Sequence, residues 1–516
     1  MAFITAYWGL DGIIVLTTLI IIVYLYMTRK FNYWKKRNVV DITPTPFLGN
    51  FMDCVFLRKS AGSFMKDLYD QAKGLPYIGF FIFDKPCLLV RDREIVKNVL
   101  VKDFNYFADR YGSPDPNDRL GYANLFFLKN PDWKMLRTKL TPVFTSGKMK
   151  KMYELMIECV SNLETYLESL EVNVTKEVDM KDISAKFTTD IIGCIAYGLN
   201  VNSLNNPDAE FRKYGKMVFD FSYIRGFEML AAFFLPNIAR LAHLKTFGKD
   251  TSIFLRKAFW ETMTHRMESG LKRNDLIDTL IELKKTYGHQ DMGGFKFNGD
   301  DLLAQAALFF AAGFETSATI LSFALYELAL NPEIQNKLRK EILQTLVKFD
   351  GKITYEMIIS LSYLDMVFSE TLRMYPPVEY LQRITIETYN VPNYNLVFEK
   401  GTPIFISVRG LHYEPKYFPN PYKFDPERFN EENKFDRSPY VYIPFGEGPR
   451  ACIGTRLGLL EMKLALVKML SKFEVSPCEK TWIPMKLDLR ATLTMPLENV
   501  IYLNIRKINT EKLQTM

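Results

Sequence analysis

Residues 445–454 read Phe445-Gly446-Glu447-Gly448-Pro449-Arg450-Ala451-Cys452-Ile453-Gly454. A cysteine stands at the mouth of a glycine turn, and an apolar, helix-like run from Leu457 to Phe473 follows at once. That order aims backbone N–H groups and the positive end of a helix dipole at the sulfur. Both favour thiolate over thiol. A thiolate held in this way is the axial ligand suited to a haem iron that must cleave O–O bonds. Gly446 and Gly448 let the turn adopt positive φ. Gly454 leaves room for a flat macrocycle against the backbone, and Arg450 can reach a carboxylate on the edge of such a ring.

Two other readings compete. A cysteine is often only a small buried hydrophobe. The stretch also contains Gly446-x-Gly448-x-x-Ala451 after a strand-like run, Tyr440 to Phe445, with the acid Glu474 at the spacing of a dinucleotide loop. Architecture counts against that second reading, because the tail beyond Glu474 is too short to complete a doubly wound nucleotide domain.

With Pro449, Arg450 and Cys452 in this order, the stretch resembles the haem-binding loop of the cytochrome P-450 superfamily. The resemblance covers almost the whole chain. It implies the α+β, predominantly α-helical cytochrome P-450 fold, with a long buried helix over haem and small β-sheets. The expected organisation is an N-terminal transmembrane anchor at 1–30, a basic, proline-rich hinge at 31–50 and a single catalytic domain at 51–516.

Composition agrees with a large core: 48% of the 516 residues are hydrophobic and 14% aromatic. The six cysteines show no CxxC pattern and no disulfide-like spacing, which points to a reducing compartment. The four histidines have no metal-ligand spacing. Net charge is +7 without dense basic clusters, so no nucleic-acid partner is expected. Gly12 to Met27 carries no charge, and Arg29, Lys30, Lys35, Lys36 and Arg37 follow it. Basic residues after the apolar run, with no small-residue cleavage site, mark a signal anchor and not a cleaved leader. The positive-inside rule then puts the body of the chain in the cytosol. The sequon Asn173-Val174-Thr175 should accordingly carry no glycan. Asp301 to Leu330 is apolar nearly all round, as a buried helix is. Phe221 to Leu244 reads equally as a core helix pair or as a second membrane contact.

Further residues gain roles from the resemblance. Glu370-Thr-Leu-Arg373 places two charges on one helical face; it resembles the ExxR pair that, with Arg428 of Pro426-Glu427-Arg428-Phe429, locks the region supporting the cysteine loop. Ala312-Gly313-Phe314-Glu315-Thr316 resembles the oxygen-binding motif, which makes Thr316 and Glu315 the catalytic candidates for proton delivery. Trp133 and Arg137 lie one helical turn apart and can donate to a haem propionate. Family placement adds Arg110, Arg383 and Arg450 as propionate partners, with Phe445 and Gly454 against the ring. Substrate contacts fall by region: the loop from Tyr106 to Tyr122, the Phe309–Thr316 face, Val378 to Leu381, and the turn near Thr492 and Leu493.

The implied activity is that of a membrane-anchored haem-thiolate monooxygenase of the insect xenobiotic-metabolising type. The cofactor is haem b with Cys452 as axial thiolate, and electrons come from NADPH through NADPH–cytochrome P-450 reductase, with cytochrome b5 a further partner. The substrate is an apolar small molecule and the location the endoplasmic reticulum membrane. Lys134, Lys139, Lys148, Lys150 and Lys151 form either a reductase-docking patch or a solvated charged face. A haem-thiolate isomerase or dehydratase, and a non-catalytic membrane haem or lipid carrier, are the alternatives.

Overall fold

An uncharged run about as long as a bilayer's hydrocarbon core is thick has every reason to form a helix, because a helix satisfies its own backbone in lipid. In the computed structural model, which describes residues 4–5, 7–170, 175–206, 208–219, 222–290, 294–434 and 439–508, that helix is Trp8–Thr28. Its side chains are mostly exposed except Asp11, whose carboxylate accepts the N–H groups of Ile4 and Thr5 at 3.0 and 2.6 Å. Residues 31–50 do not hang free. Trp34 is 1% exposed, its indole donates to Phe80 O at 3.3 Å, and Gly79 gives it room, since a Cβ there would lie 2.6 Å from the ring.

The surface that Trp34 wedges into is a four-stranded sheet. The hairpin Tyr77–Ile82 and Lys85–Val90 is antiparallel; Lys85–Val90 then runs parallel to Pro403–Ser407, which pairs antiparallel with Tyr380–Ile384. Near-continuous apolar runs in these strands bury them in a core of their own. A second, larger core surrounds the 32-residue helix Gly299–Leu330, here called the central helix. It packs most extensively on Met180–Ile192 and next on Thr455–Lys472, the helix that leaves the cysteine loop. A three-stranded sheet of Lys176–Asp179, Tyr502–Lys507 and Phe473–Ser476 closes the far side. Helices dominate, with small sheets at the edges.

The strand-like run Tyr440 to Phe445 forms no strand. Tyr440 takes φ 64° and the segment proceeds as turns. The N–H of Ile443, which a ladder would have needed, donates instead to His412 Nε2 at 3.0 Å. Residues 222–244 hold two short helices, Tyr223–Phe234 and Pro236–Leu241. Ala231, Ala232 and Phe234 face the core, whereas Tyr223, Ile224 and Leu241 are 79%, 74% and 84% exposed. The segment thus has a core-facing side and an exposed apolar side. Phe221, at its start, and Asn173 and Val174 of the sequon lie outside the described residues.

Candidate active site

The cysteine loop is built from its glycines. Gly446 and Gly448 take φ 72° and 73°. At Gly448 a Cβ would lie 2.0 Å from Leu100 O, so glycine alone fits. The turn is closed by Ala451 N–H to Gly448 O and Cys452 N–H to Phe445 O, each 2.9 Å. Cys452 is exposed and stands two residues before Gly454, which caps the 18-residue helix Thr455–Lys472. The space beside Gly454 is open: the nearest atom to an added Cβ is Cys452 Sγ, at 4.0 Å.

Around this thiol the fold gathers arginines. Arg450 is buried; its Nε donates to Ala108 O at 2.8 Å and its Nη2 to Leu128 O at 2.9 Å, while its guanidinium lies 4.0 Å over the Trp133 ring. Arg110 donates to Phe126 O at 2.6 Å and, more weakly, to Arg450 O at 3.4 Å. Arg383 reaches only Gln382 O among the described residues, and its buried Nε has no partner there. Burial pushes Arg383 down to about 10, and burial with the charge of Arg383 pushes Arg450 down to about 9. Arg110 is driven down by burial and then by Arg450, Arg383 and Arg137. Arg137 is lowered by burial, opposed by the nearby Cys452. The acid paired with Arg450 is Asp109, at a long 3.4 Å. Like charges so placed call for an anion, and the orphaned Arg383 Nε is a donor already aimed. A flat ring with acidic edges, its metal facing the thiol, fits this donor set, and the residues present therefore fit haem.

The opposite wall comes from the central helix. Along the middle of this helix Leu308, Phe309, Ala311, Ala312, Gly313 and Thr316 are at least partly open, and Phe309, Ala312, Gly313 and Thr316 share the spacing of one helical face. Thr316 Oγ1 donates to Ala312 O at 2.6 Å. Glu315, about 100° around the helix, faces elsewhere: its Oε1 takes Lys181 Nζ at 2.6 Å and Thr319 Oγ1 at 3.3 Å, with both charged side chains almost fully buried. Thr316 and Glu315 are therefore neighbours in sequence whose side chains the structure directs apart. Gly313 serves packing, since a Cβ there would lie 2.3 Å from Ile192 Cδ1.

Behind the loop, Glu370, Arg373 and Arg428 meet. Arg373 grips Glu370 with two bonds of 2.7 and 2.8 Å, and Arg428 Nε reaches Glu370 Oε1 at 3.3 Å. Asp425 N–H also donates to Glu370 Oε1, at 2.9 Å. Sequence reasoning missed His412, which joins this knot to the loop. Its Nδ1–H donates to Arg373 O at 3.1 Å while its Nε2 accepts from Ile443 N–H at 3.0 Å. Burial, then the charge of Arg373, pushes His412 down to about 3, so the ring stays neutral and both bonds persist. The order of bonds runs from Glu370 through Arg373 and His412 to Ile443, nine residues before Cys452. Of the substrate regions, Leu381 approaches Gly446, 3.8 Å from its added Cβ, and Thr494 is tied to Pro377 O at 3.0 Å. On the outer surface Lys139, Lys150 and Lys151 are engaged by Tyr287, Glu356 and Asn274.

The family model described as Cytochrome P450 matches residues 41–503. The chain is 46% identical over 498 residues to cytochrome P450 6k1 of Blattella germanica, covering 94% of each. It is 43% identical to cytochrome P450 6j1 of the same insect, over 96% of this chain and 98% of that one. It is 41% identical to probable cytochrome P450 6g2 of Drosophila melanogaster, over 93% and 96%.

Proposed function

The chain belongs to the cytochrome P450 family, and from that premise we propose that it is a membrane-anchored haem-thiolate monooxygenase of the endoplasmic reticulum. Its oxidoreductase class follows from the family. The finer reading is that Cys452 is the axial ligand, that electrons come from NADPH through a flavoprotein reductase, with cytochrome b5 a second donor, and that the substrate is an apolar small molecule, xenobiotic or endogenous lipid. The observation that carries it is the buried Arg383 and Arg450, with half-buried Arg110, beside the exposed Cys452.

Haem, when bound, supplies the oxygen chemistry; the protein supplies ligand, pocket and proton path. Cys452, exposed three residues before the helix Thr455–Lys472, is the side chain that would hold the haem iron. Arg110, Arg383 and Arg450 would hold the carboxylates of the haem edge, with Trp133 supporting the Arg450 plane and Arg137 a further donor. Phe445 and Gly454 bound the flat space between. Thr316 keeps its hydroxyl proton on Ala312 O and offers its Oγ1 lone pairs on the open helical face, where they hold and orient the water that delivers a proton. Glu315, held by Lys181, tunes that face from behind and reaches it only by leaving its ion pair. Glu370, Arg373 and Arg428 move no proton and fix the loop. The apolar wall of Phe309 and Ala312 excludes water and receives an apolar molecule.

The deciding experiment is spectral. Full-length protein in detergent should give the red-shifted carbon monoxide band of a thiolate-ligated ferrous haem, and Cys452→Ser should abolish it. Retention of the band would remove Cys452 as ligand. Product formation that needs NADPH, reductase and oxygen separates the monooxygenase from a reductase-free isomerase or dehydratase.

A further inference from the structure

Two cysteines outside this site lie against each other. Cys159 sits in the helix Ser146–Ser169, and Cys194 in the π-turn Gly193–Tyr197 that ends the helix Met180–Ile192. They are 7% and 6% exposed, just beneath a surface that the adjoining Glu158 reaches. The π-turn packs directly on the helix Ser146–Ser169, which brings the two cysteines together. Cys194 Sγ donates to Leu155 O at 3.7 Å, the carbonyl one turn before Cys159. On its other side Arg273 Nη2 donates to Cys194 Sγ at 3.5 Å.

That arginine is built in. Its N–H donates to Asp278 Oδ2 at 2.7 Å, and Asp275 and Asp278 are gripped by the buried Arg266 at 2.6 and 2.9 Å. The hydrogen bond from Cys159 lowers Cys194 below the ordinary thiol range; burial opposes this and the charge of Arg273 assists it. Glu158 and Asp275 oppose it, and Asp190 bears on Cys159. Cys159 is pushed up by its bond to Cys194 and by burial. One sulfur is thus prepared as nucleophile and its neighbour as the resolving thiol.

We infer that Cys159 and Cys194 form a dithiol site that closes to a disulfide when hydrogen peroxide reaches it, with Arg273 selecting Cys194 as the attacking sulfur. Cys194 thiolate attacks one peroxide oxygen, the O–O bond breaks and hydroxide leaves. Cys159 then attacks the resulting sulfenic sulfur, the S–S bond forms and the S–OH oxygen departs as water with a proton from Cys159. The hydroxide takes up the proton that Cys194 had lost. In sum two thiols lose two electrons and two protons, and one peroxide becomes two waters. The bond requires the sulfurs to close to about 2.05 Å, and the π-turn is the part of the helix able to yield. Once formed, it ties the helix Ser146–Ser169 to the end of Met180–Ile192, the element packed most extensively on the central helix. This inference stands on the fold and not on the haem reading.

The test treats full-length, haem-loaded protein in detergent with hydrogen peroxide, then unfolds, alkylates and maps it by mass spectrometry. The expected result is a peptide joining Cys159 to Cys194 that dithiothreitol removes, forming roughly fivefold more slowly in Arg273→Gln. Phenylarsine oxide applied to the untreated protein should protect the two thiols from alkylation together. Oxidation of Cys194 to sulfinic acid while Cys159 still alkylates would overturn the site, as would two free thiols after exposure that oxidises Cys478. An unchanged rate in Arg273→Gln would remove the role of Arg273. Should that variant not fold, independent alkylation of the two cysteines under phenylarsine oxide overturns the site on the unaltered protein.

Discussion

At Thr316 a single hydroxyl sits on the open face of a helix whose other side is packed shut. Its bond to Ala312 O, at 2.6 Å, uses the hydroxyl proton and leaves the oxygen lone pairs toward the open face. Thr316→Ala should cut product formed per NADPH by about ten- to a hundredfold, with the missing electrons recovered as hydrogen peroxide; Thr316→Ser should restore most of the coupling. Equal coupling in wild type and Thr316→Ala, measured with reductase present, would take the proton-delivery role from this residue. His412 offers a second test through stability. Its folded value of about 3 lies below the 6.5 of a free histidine, so below pH 6.5 the unfolded chain takes up a proton that the folded one refuses. Stability linked to His412 is therefore complete above pH 6.5 and declines as the pH falls toward 3. Relative to His412→Gln, wild type should lose about 2 kcal/mol between pH 7 and pH 5 in denaturant unfolding. Glu327 and Glu461, held up at about 7 and about 8 by burial, act in the opposite sense and cancel in that difference.

Between elements, the helix Ser362–Met374 carries the fully buried pair Glu370 and Arg373. Removing one partner leaves the other charge stranded in a dry interior. Arg373→Ala should cost about 3–5 kcal/mol in chemical denaturation, whereas exchanging both residues for apolar ones of similar volume should cost less, and the double-mutant cycle measures the coupling. The two residues were legible in sequence because i, i+3 spacing puts them on one face. Their surroundings were not, since His412 and Ile443 reach Arg373 only through tertiary folding and no local pattern marks them. The same limit explains Glu315. A helix apolar nearly all round offers no polar face against which to read direction, so the partnership of Glu315 with Lys181, 134 residues away, was invisible. The anchor, the central helix and the hairpin strands were readable because each depends on its own hydrophobic run. Tyr440 to Phe445 has such a run yet is no strand, because the N–H of Ile443 was taken by His412. Helix and strand patterns report burial; they do not report which hydrogen-bond partner arrives first.

For the molecule as a whole, the question is how the anchor relates to the body. The helix Trp8–Thr28 exposes a band of large apolar side chains, and apart from the ring of Tyr24, 6.2 Å from Phe47, little of it leans on the rest. Immediately after it the chain is fastened: Arg29 and Lys30 pair with Asp84 at 3.2 and 3.3 Å, Tyr33 donates to Glu399 Oε2 at 2.9 Å, and Trp34 is wedged beneath the sheet. The boundary between the exposed apolar helix and the part fastened to the core thus falls at Thr28. Deleting residues 2–27 keeps every one of these fastenings and both hydrophobic cores. The truncated chain should move largely to the soluble fraction while retaining its haem spectrum and its denaturation midpoint. Some membrane affinity should persist through Ile224 and Leu241, whose side chains are exposed on the 222–244 helices. Exchanging Ile224 and Leu241 for serine in the truncated form should remove most of that remainder in a vesicle flotation assay, since each exposed aliphatic side chain contributes about 1.5–3 kcal/mol when fully buried in an apolar phase. If truncation alone strips the haem, the anchor belongs to the fold; if the serine exchanges leave flotation unchanged, the second contact lies elsewhere on the surface.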